Sequence, residues 1–264
     1  MKRYRSALFR GRWAREGHGR KCAGFRPRLL PGDPPIERLL ILLIVAMVLG
    51  ISLGLILPRV NEPVGRVTGQ SLVNGPVADA LNALTVNDRV STYGYKRDSF
   101  GYRQVRNYGD DCDVREHVLA RDLTNVSYRW AGDCKVASGV LHDPYTGRNI
   151  NFVRGKDTST AVQIDHVVAL ENAWQSGANR WDQVQRYRYG NDMYNLLAVD
   201  GQANQEKGSA SASDWLPSNI TYRCEYAARQ IGVKSKYRLT VTSQEKAAMQ
   251  KVLHQCPAQQ LPSS

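Results

Sequence analysis

Nineteen consecutive residues, Leu39 to Leu57, carry no charge. At helical rise they extend about 28 Å, enough to cross a hydrocarbon core of roughly 30 Å. A core helix is rarely apolar on every face for that length. Arg38 and Arg59 bracket the stretch. The pattern predicts a transmembrane helix, and it divides the chain between two compartments. Residues 1–38 hold 11 Lys/Arg against 3 Asp/Glu, so this basic, disordered tail is expected to stay cytoplasmic and the rest to lie outside. A cleaved signal peptide is the competing reading. It calls for a shorter apolar run and a small-x-small site directly after it. Here Leu55-Ile56-Leu57-Pro58 follows, and the first Ala-x-Ala is Ala78-Asp79-Ala80. An uncleaved, single-pass cell-membrane anchor is expected, with secretion the outcome if it is cut. Gly50 and Gly54 have the spacing that lets two membrane helices approach, which allows a weak homodimer.

Net charge is +12. The tail supplies +8 of it, leaving +4 for the other residues, so nucleic-acid binding cannot be argued from bulk charge. Cys22 falls on the cytoplasmic side; Cys112, Cys134, Cys224 and Cys256 fall outside. Four cysteines in an oxidising compartment read as two disulfides, and three connectivities are open. Proximity favours Cys112–Cys134 and Cys224–Cys256. A zinc site is disfavoured, because no C-x-x-C pair exists.

Residues 58–76 read as a linker, 77–258 as the folded extracytoplasmic domain and 259–264 as a tail. Val77 to Leu84 has helical spacing. Tyr93 to Tyr108 is polar, tyrosine-rich and irregular. Asp113 to Leu123 predicts a capped helix with Val114, Val118, Leu119 and Leu123 on one face; its Arg115, Arg121 and Asp122 read as surface ion pairs. Ser127–Trp130, Lys135–Val140 and Asn149–Val153 read as strands, with a turn at Asp143-Pro144-Tyr145-Thr146-Gly147. Helices are expected over Glu171–Trp181, Ser218–Gly232 and Ser243–His254, the last with a capping arrangement at Ser243. The class is α+β, with a small antiparallel sheet and surrounding helices after one transmembrane helix.

Chemistry concentrates between Val162 and Gly208. An apolar run ends in Asp165-His166. After an excursion, Asn195 opens a second run, Leu196 to Asp200, and Gly201 to Lys207 turns into a helix carrying Asn204. A histidine is the side chain whose ordinary pKa lets it take a proton near neutral pH. Asp165 and Asn204 are hard oxygen donors suited to Mg²⁺ or Mn²⁺, which keep several waters of their own. Asn195 is placed to brace the strand pair, and Lys207 to meet a phosphate as a point charge.

Asp165-His166-Val167-Val168, Asn195-Leu196-Leu197 and Asn204-x-x-Lys207-Gly208 resemble the HNH, or ββα-metal, nuclease motif. The likeness is closest to a secreted HNH subgroup. It extends to Cys112, Asp113 and Arg115, to Leu119-x-Arg121-Asp122-Leu123, to Asp143-Pro144-Tyr145, to Ala173-Trp174 and to Asp214-Trp215-x-Pro217. Ala169 stands where that subgroup usually has proline. Asn204 in place of a histidine favours Mg²⁺ or Mn²⁺ over zinc. The resemblance implies a ββα-metal core and a metal-dependent endonuclease acting on DNA, RNA or both; low sequence specificity is expected because the sequence shows no base-reading element. His166 would be the general base, Asp165 and Asn204 the metal ligands, and Asn195 the brace.

Two other readings stay open: a surface DNA-binding or interaction module whose site has decayed, and a hydrolase of another phosphodiester. Arg180, Arg186 and Arg188 in the excursion are equally phosphate contacts or a solvated face. Glu171 reads as a helix cap rather than a metal-tuning group. Asp214 and Trp215 read as packing, and His117, His142 and His254 as structural or exposed.

Overall fold

The computed structural model describes residues 35–60, 75–104, 112–156 and 158–263. The expected tail up to residue 34, Cys22 and most of the linker lie outside them. The chain divides into two units, Met1–Leu55 and Ile56–Ser264. Helix α1, Pro35–Val60, contains the expected span and is long and apolar enough to cross a membrane.

In the second unit the elements run as follows. Helix α2 is Pro76–Ala83, and a 3₁₀ turn follows at Arg97–Phe100. Helix α3 is Val114–Asp122, then strands β1 Leu123–Tyr128, β2 Val136–His142, β3 Asn149–Val153 and β4 Val162–His166. The excursion holds α4, Leu170–Gln175, and α5, Gln183–Gly190, ending in a 3₁₀ turn at Met193–Asn195. Strand β5 is Leu196–Asp200, followed by α6 Gly201–Lys207, α7 Arg223–Lys236 and α8 Ser243–Leu253. The α+β class is as expected, but the strands form two antiparallel sheets, β1-β2-β3 and β4-β5.

The β4–β5 pair with α6 lies between two core clusters of the second unit. Alternation along the strands sends side chains to two faces. Val162, Ile164, Leu196 and Ala198 pack with Val114, Val118 and Leu119 of α3. Leu197 and Val199 pack with Tyr145, Ala203 and Tyr226. Both faces are therefore covered, which is why these strands are apolar almost throughout.

Asp113 caps α3 by accepting from the Arg115 amide. Arg121 makes the expected ion pair with Asp122, at 2.6 Å, and both Arg115 and Arg121 also reach backbone carbonyls. The Arg115 guanidinium donates to the Val162 carbonyl at 3.0 Å, and that of Arg121 to the Met193 and Leu196 carbonyls at 2.7 and 2.6 Å. Asp122 accepts from the Ala198 amide at 2.8 Å. These groups strap α3 onto both strands, satisfying backbone groups that the two-stranded sheet leaves unpaired.

The helix expected over Glu171–Trp181 is shorter, because Gly177 at φ 132° breaks it. Only glycine takes that conformation without strain. Helix α7 begins at Arg223 rather than Ser218, after a 3₁₀ turn at Ile220–Tyr222. The capping box of α8 belongs to Thr242 with Glu245, one residue before the expected Ser243. The S/T-x-x-E spacing fits Thr242 and not Ser243. Disulfides join Cys112 to Cys134 and Cys224 to Cys256. In the chain-entropy picture each adds about 3–4 kcal/mol.

Candidate active site

In the β4–β5 register Asp165 lies opposite Leu197 and His166 opposite Leu196. Consecutive strand residues face opposite sides. The aspartate and histidine are thus not a hydrogen-bonded dyad; each enters a different set of partners.

Asp165 turns toward α6. Its Oδ1 accepts from Lys207 Nζ at 2.9 Å and its Oδ2 from the Tyr145 hydroxyl at 2.5 Å. The same ammonium donates to the His166 carbonyl at 2.9 Å. Burial pushes the Asp165 carboxyl up; Lys207 and the Tyr145 hydrogen bond pull it down. Burial also pushes the Tyr145 hydroxyl well up, so it remains a donor. Tyr145 is delivered by the Asp143–Gly147 turn, whose Asp143 Oδ1 accepts from the Asp200 amide at 2.9 Å.

Lys207 corrects the sequence reading. Its side chain is fully buried. An ammonium committed to Asp165 and a backbone carbonyl holds the end of β4; it does not present itself to a phosphate in solvent.

His166 turns toward α5. Its Nε2 lies 2.8 Å from the Gly190 carbonyl. A carbonyl only accepts, so Nε2 carries the proton and Nδ1 keeps the lone pair. Nδ1 makes no hydrogen bond among the described residues. Burial pushes His166 down to about 3, against the Gly190 carbonyl, which favours the charged form. The ring is therefore neutral at physiological pH. Tyr102 meets it edge-on at 5.0 Å. Gly190 is required by close approach: a Cβ there would sit 2.3 Å from the Phe100 carbonyl oxygen.

Asn195 is fully buried. Its amide closes a two-point clamp, accepting from the Val168 amide at 2.9 Å and donating to the Val168 carbonyl at 3.2 Å. Its own carbonyl accepts from Val167 at 2.8 Å. The clamp fixes the backbone directly after His166.

Asp165, His166 and Asn204 border one cleft of about 350 Å³, together with Glu171, Arg97 and Tyr95. The Asn204 amide nitrogen donates to Gln163 at 2.9 Å, leaving its oxygen as an acceptor. Glu171 makes no cap bond; the residue at the start of α4, Ala169, has no side-chain cap. It borders the cleft instead. Among the described residues no group of three His, Cys, Asp or Glu side chains is assembled for a metal.

The excursion arginines stay away from this cleft. Arg186 donates to the Ala178 and Asn179 carbonyls and lies 5.0 Å over the Trp174 ring, where it packs the aromatic cluster. Arg180 and Arg188 are exposed elsewhere. Trp215 packs edge-on against Tyr145 at 5.0 Å. The cation the sequence does not signal is Arg97, which sits in a polar stretch without periodicity.

Comparison with known proteins places the chain in a family. Residues 113–252 match the family described as GmrSD restriction endonucleases, C-terminal domain. An uncharacterized secreted protein of Arthroderma benhamiae is 39% identical over 191 residues, covering 72% of this chain and 85% of that protein. No solved structure matches. The match covers β4, β5 and α6 and supports a nuclease. The chain belongs to the family of GmrSD restriction endonuclease C-terminal domains.

Proposed function

We propose that this protein is a metal-dependent endonuclease of the HNH type with low sequence specificity, held at a membrane by α1 with its second unit outside. The carrying observation is His166: buried and neutral, with Nε2 tied to the Gly190 carbonyl and Nδ1 without a hydrogen bond among the described residues, at a cleft bordered by Asp165 and Asn204. Nδ1 takes the proton of the attacking water as that water's oxygen bonds to phosphorus and the bond from phosphorus to the leaving sugar oxygen breaks, the leaving oxygen taking a proton from solvent. The Gly190 carbonyl stabilises the cationic ring that results. Asn195 keeps the His166 backbone in place through the step.

The donor set suits a hard cation. Asp165 has lone pairs beyond the two used by Lys207 and Tyr145, and the Asn204 oxygen is available. With few protein oxygens the cation would keep most of its waters, which favours Mg²⁺ or Mn²⁺ over zinc. When bound, it would supply positive charge against the phosphoryl oxygens.

The second reading is a binding module with a weak or lost site, favoured by the commitment of Asp165 to Lys207. One panel separates the two. The full-length protein in detergent is incubated with duplex DNA, single-stranded DNA and RNA, with Mg²⁺, Mn²⁺ or EDTA. The proposal expects cleavage with a metal and none in EDTA. Binding without cleavage under every metal supports the module.

A further inference from the structure

We propose that Arg97 grips the scissile phosphate, and that the segment 95–104, outside the 113–252 family match, completes the active site. The inference rests on the nuclease reading for its substrate and extends it to a residue and a segment.

An anionic substrate at the His166 cleft needs a cation there, and Lys207 is buried behind it. Arg97 borders the cleft with His166, Asp165 and Asn204 and is exposed. Among the described residues no carboxylate pairs with it. A guanidinium also offers a planar fork that matches two phosphate oxygens, which an ammonium does not.

The segment that carries Arg97 is fixed. Phe100 is fully buried among Trp174 and Tyr189. Asn191, directly after α5, donates to the Gly101 carbonyl at 3.0 Å and accepts from the Arg103 amide at 3.0 Å. Gln183, at the start of α5, donates to the Ser99 carbonyl at 2.6 Å. The same stretch packs Tyr102 on the His166 ring and the Phe100 carbonyl on Gly190, the residue that holds Nε2. One piece of chain thus packs against the ring of the base and against Gly190, and carries the cation on a fixed backbone. A backbone held in advance lowers the entropy lost on binding.

The test uses the full-length protein in detergent and a fluorescein-labelled 12-mer DNA in EDTA. Dissociation constants are measured across a KCl series for wild type, Arg97→Gln and Arg97→Lys. Arg97→Gln should weaken binding about tenfold to a hundredfold. It should also lower the salt slope by about one phosphate contact, a readout that a packing role would not move. Arg97→Lys should keep the slope while binding more weakly than wild type. Thermal midpoints should match throughout the Arg97 series, because the residue is exposed. Wild-type affinity and slope in Arg97→Gln overturn the proposal; if wild type still cleaves with a metal, the nuclease reading survives that result. Arg97-dependent binding without cleavage under any metal keeps the phosphate grip and removes the nuclease. A wild type that neither binds in EDTA nor cleaves with a metal removes both.

Discussion

Two lysines are buried among the described residues, and each meets a carboxylate: Lys207 meets Asp165 at 2.9 Å, and Lys234 meets Glu245 at 3.0 Å. Both lysine side chains are fully buried. Burial is the largest influence on titration in each pair, pushing Asp165 up and Lys234 down. As energetics the two are alike. Their surroundings differ. Lys234 also donates to Ser176 and the Thr240 carbonyl, and Glu245 closes the cap of α8. That pair joins helices. Asp165 also borders the cleft, and Lys207 also holds the His166 carbonyl. A buried ion pair alone does not mark a site; what else its members touch does.

The largest expected effects separate these roles. Lys207→Met and Lys234→Met should each lose about 3–5 kcal/mol in denaturant titration, because each strands a buried carboxylate. Cleavage per folded molecule should collapse only in Lys207→Met. Equal activity in the two variants would erase the distinction. The double variant Lys234→Met/Glu245→Leu should recover most of the loss, since an apolar pair of similar volume substitutes well for a buried ion pair. Asp165→Asn/Lys207→Met should regain stability without regaining activity.

Next come the disulfides. Cys224→Ser/Cys256→Ser should cost about 3–4 kcal/mol and leave turnover of the folded protein unchanged. That bridge lies with α7 and α8, on the Lys234 side of the comparison. A fall in turnover beyond the fraction unfolded would place it on the Lys207 side.

The pH response is smaller and has a definite sign. His166 sits at about 3 in the folded chain against an ordinary 6.5. Between those values the unfolded chain binds the extra proton, so stability is full above 6.5 and falls as pH drops toward 3. Thermal melts in EDTA should show that slope, and His166→Gln should flatten it. An unchanged slope would mean that His166 is not buried neutral. Smallest of all, Arg186→Ala should cost about 1 kcal/mol, from its ring contact and carbonyl bonds, with cleavage unaltered.

The sequence made much of this legible. Apolar runs around Asp165-His166 and Asn195-Leu196-Leu197 marked β4 and β5, and Asp113 marked the start of α3. Each is a local rule acting on neighbouring residues. What stayed hidden depends on contacts distant in sequence. Arg115 and Arg121 look like surface charges on a helix wheel, yet they cap strand carbonyls 47 and 75 residues away. Lys207 looks like a phosphate contact until the Tyr145 turn and β4 close around it. Arg97 has no pattern at all, because a 3₁₀ turn held from outside by Asn191 and Gln183 needs no periodicity of its own.

The central claim is that His166 is the base. The direct measurement is plasmid cleavage by wild type and His166→Ala, both full-length, with Mg²⁺ and with EDTA, alongside circular dichroism. The account predicts wild-type cleavage that requires the metal, and a variant with unchanged secondary structure and a rate lower by about 10²–10⁴. Cleavage by His166→Ala at the wild-type rate, or by wild type in EDTA, would contradict it.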